Sequence, residues 1–275
     1  MKKYLLFPVL AVALTACDRN NDIVSPTENI PILPVKIAYS QGNLNDTAIM
    51  TYDGNKLKEI RREEGSTVLT FEYTGNLISK ITEKGEDKLT VTSFEYTNGK
   101  LAKVSSKGNE NDGEYLTEYN TLYNYNGDGT ITANQTETTS SNGYTNTKNI
   151  TFRYTLTNGQ TTQCTKTIVS EYNTFYETNT FTYDTQNSIF KNVAGFNEIS
   201  FALLEELGDS FSSTANNFAS IVSTSSSGST YESKYEYTYN ASGYPTKLDL
   251  TFTYSYLGSP SGTPTTSTHT ITYNK

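Results

Sequence analysis

The sequence predicts an all-β protein, an antiparallel meander of repeated β-hairpins forming a curved or partly rolled sheet, with one short helix near residues 198–207. Three observations carry this expectation. A unit of aromatic-x-Tyr, a turn containing Gly or Asn, and a returning Leu or Ile recurs along the chain. The stretches between turns are rich in Thr, Tyr, Phe, Val and Ile, residues that suit a pleated, half-buried surface. The apolar fraction of the 275 residues is only 35%, with 22 Tyr, 12 Phe and no Trp. Tyrosine must therefore supply much of the buried area that Leu and Val provide elsewhere. The net charge of −8 excludes a nucleic-acid binder driven by phosphate charge. The low apolar content excludes a polytopic helical membrane protein and argues against a large α/β enzyme core.

The N-terminus reads as an address. Lys2 and Lys3 precede an apolar run from Tyr4 to Leu14. That run is too short for the roughly 20 residues a membrane-spanning helix needs, and it fits a secretory signal. Leu14-Thr15-Ala16-Cys17 resembles a bacterial lipobox. The resemblance implies a signal peptide over residues 1–16 and a mature chain whose Cys17 carries the lipid, palmitate among its acyl chains. More than one acyl chain is needed for stable anchoring. Residues 17–35, with Pro26, Pro31 and Pro34, read as a flexible tether, and residues 36–275 as a single repeat domain. With Cys17 committed to lipid, no disulfide within the chain is expected, and Cys164 in its Thr-rich strand reads as a small buried hydrophobe.

The repeat explains the order of elements. Tyr52-Asp-Gly54 with Leu57 and Ile60, Phe71-Glu-Tyr73 with Leu77 and Ile81, and Phe94-Glu-Tyr96 with Leu101 and Val104 are the clearest copies. Looser copies centre on Tyr125, Tyr154, Tyr183 and Tyr239, and Ile271-Thr-Tyr273 closes the series as half a unit. Alternation places Phe71 and Tyr73 on one face and Thr70, Glu72 and Thr74 on the other. Gly or Asn supplies the positive φ of a tight hairpin turn. A second set of turns near Gly65, Gly85, Gly108, Gly143 and Pro260 joins successive hairpins at the opposite end. The pattern gives about fourteen short strands joined up and down. The tyrosine rhythm lapses between Val193 and Ser223. There Ile199, Leu203 and Leu207 fall at helical spacing, with Asn197 as cap, Glu198 in the first turn and Gly208 as stop. This helix is expected to cover an open apolar face or end of the sheet.

These units resemble the YD (RHS-type) repeat, most closely at Phe71-Glu-Tyr73-Thr-Gly75-Asn-Leu77 and Tyr52-Asp-Gly54-Asn-Lys-Leu57. Together with the lipobox, the chain resembles Bacteroidota envelope lipoproteins of unknown function with YD-like hairpin repeats. The last third fits the same resemblance through Phe190-Lys191-Asn192, the helix and Asn216-Asn217. The resemblance implies architecture and an outer-membrane lipid anchor, without saying which face of the membrane is served. It implies no activity.

Constellations for chemistry are sparse. His269 is the single histidine, and pairing it with Cys164 as a nucleophile would require the fold to bring them together. No nucleophile elbow, zinc-protease, Walker or paired-cysteine motif occurs. Glu63-Glu64 and Glu205-Glu206 are adjacent in sequence and diverge on a strand or helix. Asn124-Tyr-Asn126-Gly127-Asp128-Gly129 matches the start of a calcium loop, but Gln135 stands where a bidentate Glu is needed. It reads as a plain turn. Asp46-Thr47-Ala48 resembles the short acceptor for O-glycosylation of exported Bacteroidota proteins. Charge is uneven: residues 36–107 are nearly balanced, whereas the acidic excess lies in 108–275. No catalytic, cofactor or metal site is assigned. The sequence thus supports a non-enzymatic envelope module that binds protein or glycan, or is structural, held to the membrane through Cys17. The alternative is an envelope hydrolase using acidic residues. A row of exposed, coplanar tyrosines would favour the first, and a deep pocket with two inward carboxylates the second.

Overall fold

The computed structural model describes residues 30–64, 66–110, 115–169, 173–203 and 215–275. Among the described residues, the unit from Pro31 to Lys275 contains seventeen strands and one helix. The strands are β1 (Pro34–Gln41), β2 (Leu44–Asp53), β3 (Lys56–Arg62), β4 (Val68–Thr74), β5 (Leu77–Lys84), β6 (Lys88–Thr97), β7 (Lys100–Glu110), β8 (Tyr115–Tyr125) and β9 (Ile131–Ser141). They continue with β10 (Tyr144–Thr157), β11 (Gln160–Val169), β12 (Thr174–Tyr183), β13 (Phe218–Ser225), β14 (Ser229–Tyr239), β15 (Pro245–Tyr256), the two-residue β16 (Ser259–Pro260) and β17 (Thr265–Tyr273). The helix α1 (Phe196–Leu203) lies between β12 and β13.

Each strand pairs antiparallel with its neighbour in sequence, except that β16 pairs only with β15, and β15 continues to β17. β17 then pairs with β1, from Thr268 against Ser40 to Tyr273 against Pro34. The meander therefore closes into a sixteen-strand barrel. This corrects the expectation of a curved or partly rolled sheet. Alternation along a strand is the same in an open sheet and a barrel, so closure was not encoded in the pattern that was read. The hairpins and the antiparallel order stand as expected.

The repeat has a specific cause. In a regular strand, positions i and i+3 face opposite sides. Yet Ile78 and Ile81 are both buried, as are Leu57 and Ile60, Leu101 and Val104, and Phe218 and Ile221. The register explains this: Glu72 pairs with Lys80, but Tyr73 pairs with Ile78, leaving Ser79 as a bulge. The same shift recurs in six further strand pairs, at Val35, Lys58, Ala102, Thr162, Ala219 and Thr246. A bulge adds one residue, so i and i+3 point the same way. The β8–β9 hairpin has no shift, and its buried pair is Ile131 and Ala133 at ordinary i, i+2 spacing.

The repeated tyrosines serve those bulges. Tyr52 Oη donates to the Pro34 carbonyl at 2.7 Å, Tyr96 to Ile78 at 2.7 Å, Tyr183 to Thr161 at 2.7 Å and Tyr273 to Pro245 at 2.9 Å. Each acceptor directly precedes a bulged residue on the adjacent strand. The Tyr73 and Tyr125 hydroxyls lie near the main chain of Leu57 and Leu101, without a carbonyl bond of the same kind. A bulge interrupts the ladder, and a buried carbonyl so released needs another donor. Tyrosine fills the space and supplies the hydroxyl. The shared pattern of aromatic-x-Tyr, turn and Leu is thus the signature of a bulged barrel hairpin, not of YD-repeat hairpins.

The same end of the barrel is filled from within. Asp184 accepts from the Asn217 main chain and side chain at 3.1 and 3.0 Å and from the Tyr239 hydroxyl. Asn192 Nδ2 donates to the Ile32 carbonyl at 3.0 Å, and the Ala194 amide donates to the Asn55 carbonyl at 3.0 Å. At Gly195 (φ 78°) the chain presses against β5, where a Cβ would lie 2.8 Å from the Ile78 nitrogen. The chain then enters the lumen as α1. Phe196 and Ile199 are fully buried. The Phe196 ring lies 5.1 Å from Phe190 and 6.0 Å from Phe71, and Phe201 lies 5.4 Å from both Tyr123 and Tyr154. Full burial of such side chains contributes about 1.5–3 kcal/mol each. The helix starts two residues before the expected 198, and positions 204–207 lie outside the described residues.

Amphipathicity fixes what the barrel faces. Inward positions hold the apolar core, including Ile37, Met50, Phe94, Phe152, Phe181 and Leu248. Outward positions carry Thr, Ser, Asn, Lys and Glu. They are joined by ion pairs such as Lys103–Glu95 (2.9 Å), Arg61–Glu59 (3.0 Å) and Lys80–Glu72, and by hydroxyl pairs such as Thr138–Thr147 (3.2 Å) and Ser140–Thr145 (3.0 Å). Outward apolar residues such as Leu122 and Leu89 are interspersed among these polar groups.

Candidate ligand-binding lumen

Beyond α1, toward the end of the barrel opposite the tyrosine belt, three adjoining cavities of about 270, 290 and 430 Å³ occupy the lumen. The first two share Tyr154 and Lys166, and the first and third share Ser233 and Phe252. Their sizes approach or fall within the range of about 300–1,000 Å³ typical of small-ligand sites.

The β14–β15 wall carries an aromatic shelf. Tyr231 stacks on Tyr254 at 4.9 Å and 28°, and on Phe252 at 5.9 Å and 25°. Tyr231 opposes Tyr254 in the ladder, with Phe252 two residues along the same face. Tyr231 remains 42% and Phe252 38% exposed although both line the cavities. Tyr254 is half-buried, so two of the three stacked rings face the cavity rather than three coplanar ones facing solvent.

Polar groups converge beside the shelf. Glu177 Oε1 accepts from Asn179 Nδ2 and from Ser223 Oγ, each at 3.2 Å. Lys166 is in direct register with Glu177 across the β11–β12 ladder, and its Nζ sits 5.4 Å from the Phe152 ring centre. In the next cavity Glu137 pairs with Lys148 at 3.6 Å. At the rim, Asp46 pairs with Arg62 at 2.6 Å. Burial opposes ionisation of Asp46, but the Glu64 and Thr47 amides and the Arg62 guanidinium outweigh it and hold its carboxyl below the ordinary range.

His269, on β17, meets Tyr39 edge-on at 5.1 Å and lines the third cavity. It is 6% exposed and its Nε2 makes no hydrogen bond. Burial pushes its pKa down, so the ring is neutral at pH 7. Cys164 is buried on β11 and lines the first cavity. β12 to β15 separate it from β17, so no Cys164–His269 pair forms.

Other residues singled out from the sequence fall elsewhere. Asp128 accepts from the Thr130 amide at 3.0 Å and pairs with Arg153 at 2.7 Å, and Asn126 donates to Thr130 at 2.9 Å. The calcium-like residues are thus spent on a turn, as read. No cluster of metal-ligating side chains occurs among the described residues. Thr47 lies within β2, paired with Ala38. Cys17 and Glu205-Glu206 lie outside the described residues. The shelf and the Glu177 group were missed in the sequence. Tyr231 carried the available signal, since it stands far from the hairpin-closing register of the other key tyrosines.

No protein-family model matches the sequence, and no curated protein does. The fold is similar to the crystal structure of a porin-like protein from Bacteroides vulgatus ATCC 8482, at 16% identity over 88% of this chain and 99% of that one, with a TM-score of 0.55. A second porin-like protein, from Bacteroides uniformis ATCC 8492, aligns at 16% identity over 89% and 99% with a TM-score of 0.49. The barrel and this likeness overturn the resemblance to YD-repeat lipoproteins.

Proposed function

We propose that this chain is a non-enzymatic barrel of the bacterial outer membrane, held there by lipid on Cys17, whose lumen receives a small ligand. The observation that carries the reading is the polarity of the wall. A barrel embedded in lipid needs an outward apolar band about 25 Å tall with aromatic girdles. Here the outward face carries ion pairs and threonine hydroxyl ladders, and the apolar side chains face inward. Water, not lipid, suits that face. The porin-like fold supports an outer-membrane setting, and a lipid tether reconciles this setting with a wet wall. In this reading residues 1–16 are removed, and the residues between Cys17 and Pro31 span from the bilayer to the barrel.

A conduit is not favoured, because the bulged end is occupied by Phe190, Phe196 and Ile199. An acidic hydrolase gains no support either. Asp46 and Glu137 are each paired with a cation, and Glu177 is held by Asn179 and Ser223.

Extraction of membranes with alkaline carbonate tests the tether. The intact protein should remain with the outer membrane and incorporate labelled palmitate. Cys17→Ala should be exported, unlabelled and soluble. If Cys17→Ala resists extraction, the wall itself is in the bilayer and the reading fails.

A further inference from the structure

We propose that the ligand of the lumen is a neutral oligosaccharide, one sugar ring lying on the Tyr231–Phe252–Tyr254 shelf with its hydroxyls bonded to the Glu177–Asn179 group. The proposal deepens the lumen reading above and rests on it. Three features of the site select this chemistry.

The first is the shelf. Tyr231 and Phe252 remain partly exposed inside a concavity, where apolar ring surface gains contact when a ligand covers it. The axial C–H face of a pyranose is a flat apolar surface of that kind. The second is the pairing of acceptor and donors beside it. Glu177, fixed through Oε1 by Asn179 and Ser223, brings a carboxylate next to the Asn179 amide, with Lys166 opposite it in the ladder. Acceptor and donors so placed match a vicinal diol, in which each hydroxyl both gives and takes a hydrogen bond.

The third is charge. Lys166 faces Glu177 in register, and Lys148 pairs with Glu137, so the wall offers no net charge to an ionic ligand. A phosphate-bearing ligand gains nothing there, and a long acyl chain would strip water from these groups without replacing their bonds. A peptide ligand fits less well, because the closed barrel offers no strand edge to pair with.

The test uses the full chain carrying Cys17→Ala, with maltotriose, cellotriose, mannotriose and chitotriose as probes, followed by calorimetry and saturation-transfer NMR. At least one probe should bind saturably, one per chain. Tyr231→Ala and Phe252→Ala should each weaken it about tenfold, the scale of losing one aromatic contact. Glu177→Gln should weaken it as well, while Leu122→Ser on the outer wall should leave it unchanged. Circular dichroism of each variant separates loss of the site from loss of the fold. Absence of binding by all four probes, or binding indifferent to the shelf variants, overturns the proposal. Parallel titration with the fluorescent fatty acid cis-parinaric acid distinguishes the failures. If it binds the lumen while the sugars do not, the lumen reading survives and the sugar assignment falls. If nothing binds, both fall.

Discussion

The hydroxyl of Tyr96 donates to the main-chain carbonyl of Ile78 across 2.7 Å, one residue before the bulge at Ser79. The same relation joins Tyr52 to Pro34 and Tyr183 to Thr161. An aromatic side chain on one strand thereby completes the hydrogen bonding that its neighbour's bulge interrupts.

Removing that hydroxyl leaves a buried carbonyl unsatisfied. Tyr96→Phe and Tyr183→Phe are each expected to cost about 1–3 kcal/mol. Tyr73→Phe should cost less, because its hydroxyl makes no bond of normal geometry. Urea unfolding curves with equal m-values check the order; equal losses at all three positions would contradict it.

Gly195 is the point at which the plug segment turns into the lumen. A Cβ there meets the Ile78 nitrogen at 2.8 Å, whereas Gly143 has open space at a similar positive φ. Gly195→Val should therefore destabilise well beyond Gly143→Val, which carries only the backbone strain of about 1–2 kcal/mol. Thermal unfolding of the two variants reads the difference.

Acid reports on His269. Burial lowers its folded pKa below the ordinary 6.5. The unfolded chain therefore takes up this proton first as pH falls. The stability from neutral His269 is complete above the unfolded value and is lost as pH drops through about 6.5 toward the folded pKa. Urea midpoints between about pH 8 and pH 5 should fall for the native protein and flatten in that window for His269→Gln.

Alkali reports on the tyrosine belt. Burial raises Tyr52, Tyr96, Tyr183 and Tyr273 above the ordinary 10.0, and Tyr73 to about 12. Their stabilisation is whole below the unfolded pKa and is lost as pH rises past it. Phenolate absorbance of the belt should appear only with cooperative unfolding.

The wall can be tested by charge. Thr151 faces outward on β10, between buried Ile150 and Phe152. Thr151→Lys should change stability by less than about 0.5 kcal/mol if water bathes the wall, against about 2–4 kcal/mol at a bilayer midplane. Denaturation in plain buffer, together with export yield, decides.

Much of this architecture was legible as local chemistry. The turns at Asn98-Gly99 and Asn158-Gly159 have both residues at positive φ, as their dipeptides imply. The recurring Leu57/Ile60 type of spacing was visible too, but its meaning needed the register. The helix was read from Ile199 and Leu203, while its seat inside a lumen depends on closure that no single strand encodes. Closure itself is a long-range pairing of Ile37 with Ile271. The resemblance to YD repeats misled because any bulged hairpin served by a tyrosine produces similar letters. The shelf was hidden for a related reason: Tyr231, Tyr254 and Phe252 look like every other aromatic in a tyrosine-rich chain until the barrel shows which rings face the cavity.

The seam between β1 and β17 has a consequence for biogenesis. Leu33 and Asn274 exchange hydrogen bonds at 3.0 and 3.1 Å, beside a ladder that joins the first strand to the last. During synthesis β17 emerges after the other strands, and it is the one that closes the cylinder. Until it crosses, β1 and β15 each offer a raw edge to any passing chain. The chain is thus an adhesive ribbon until β17 docks, and a holding chaperone is most needed in that interval.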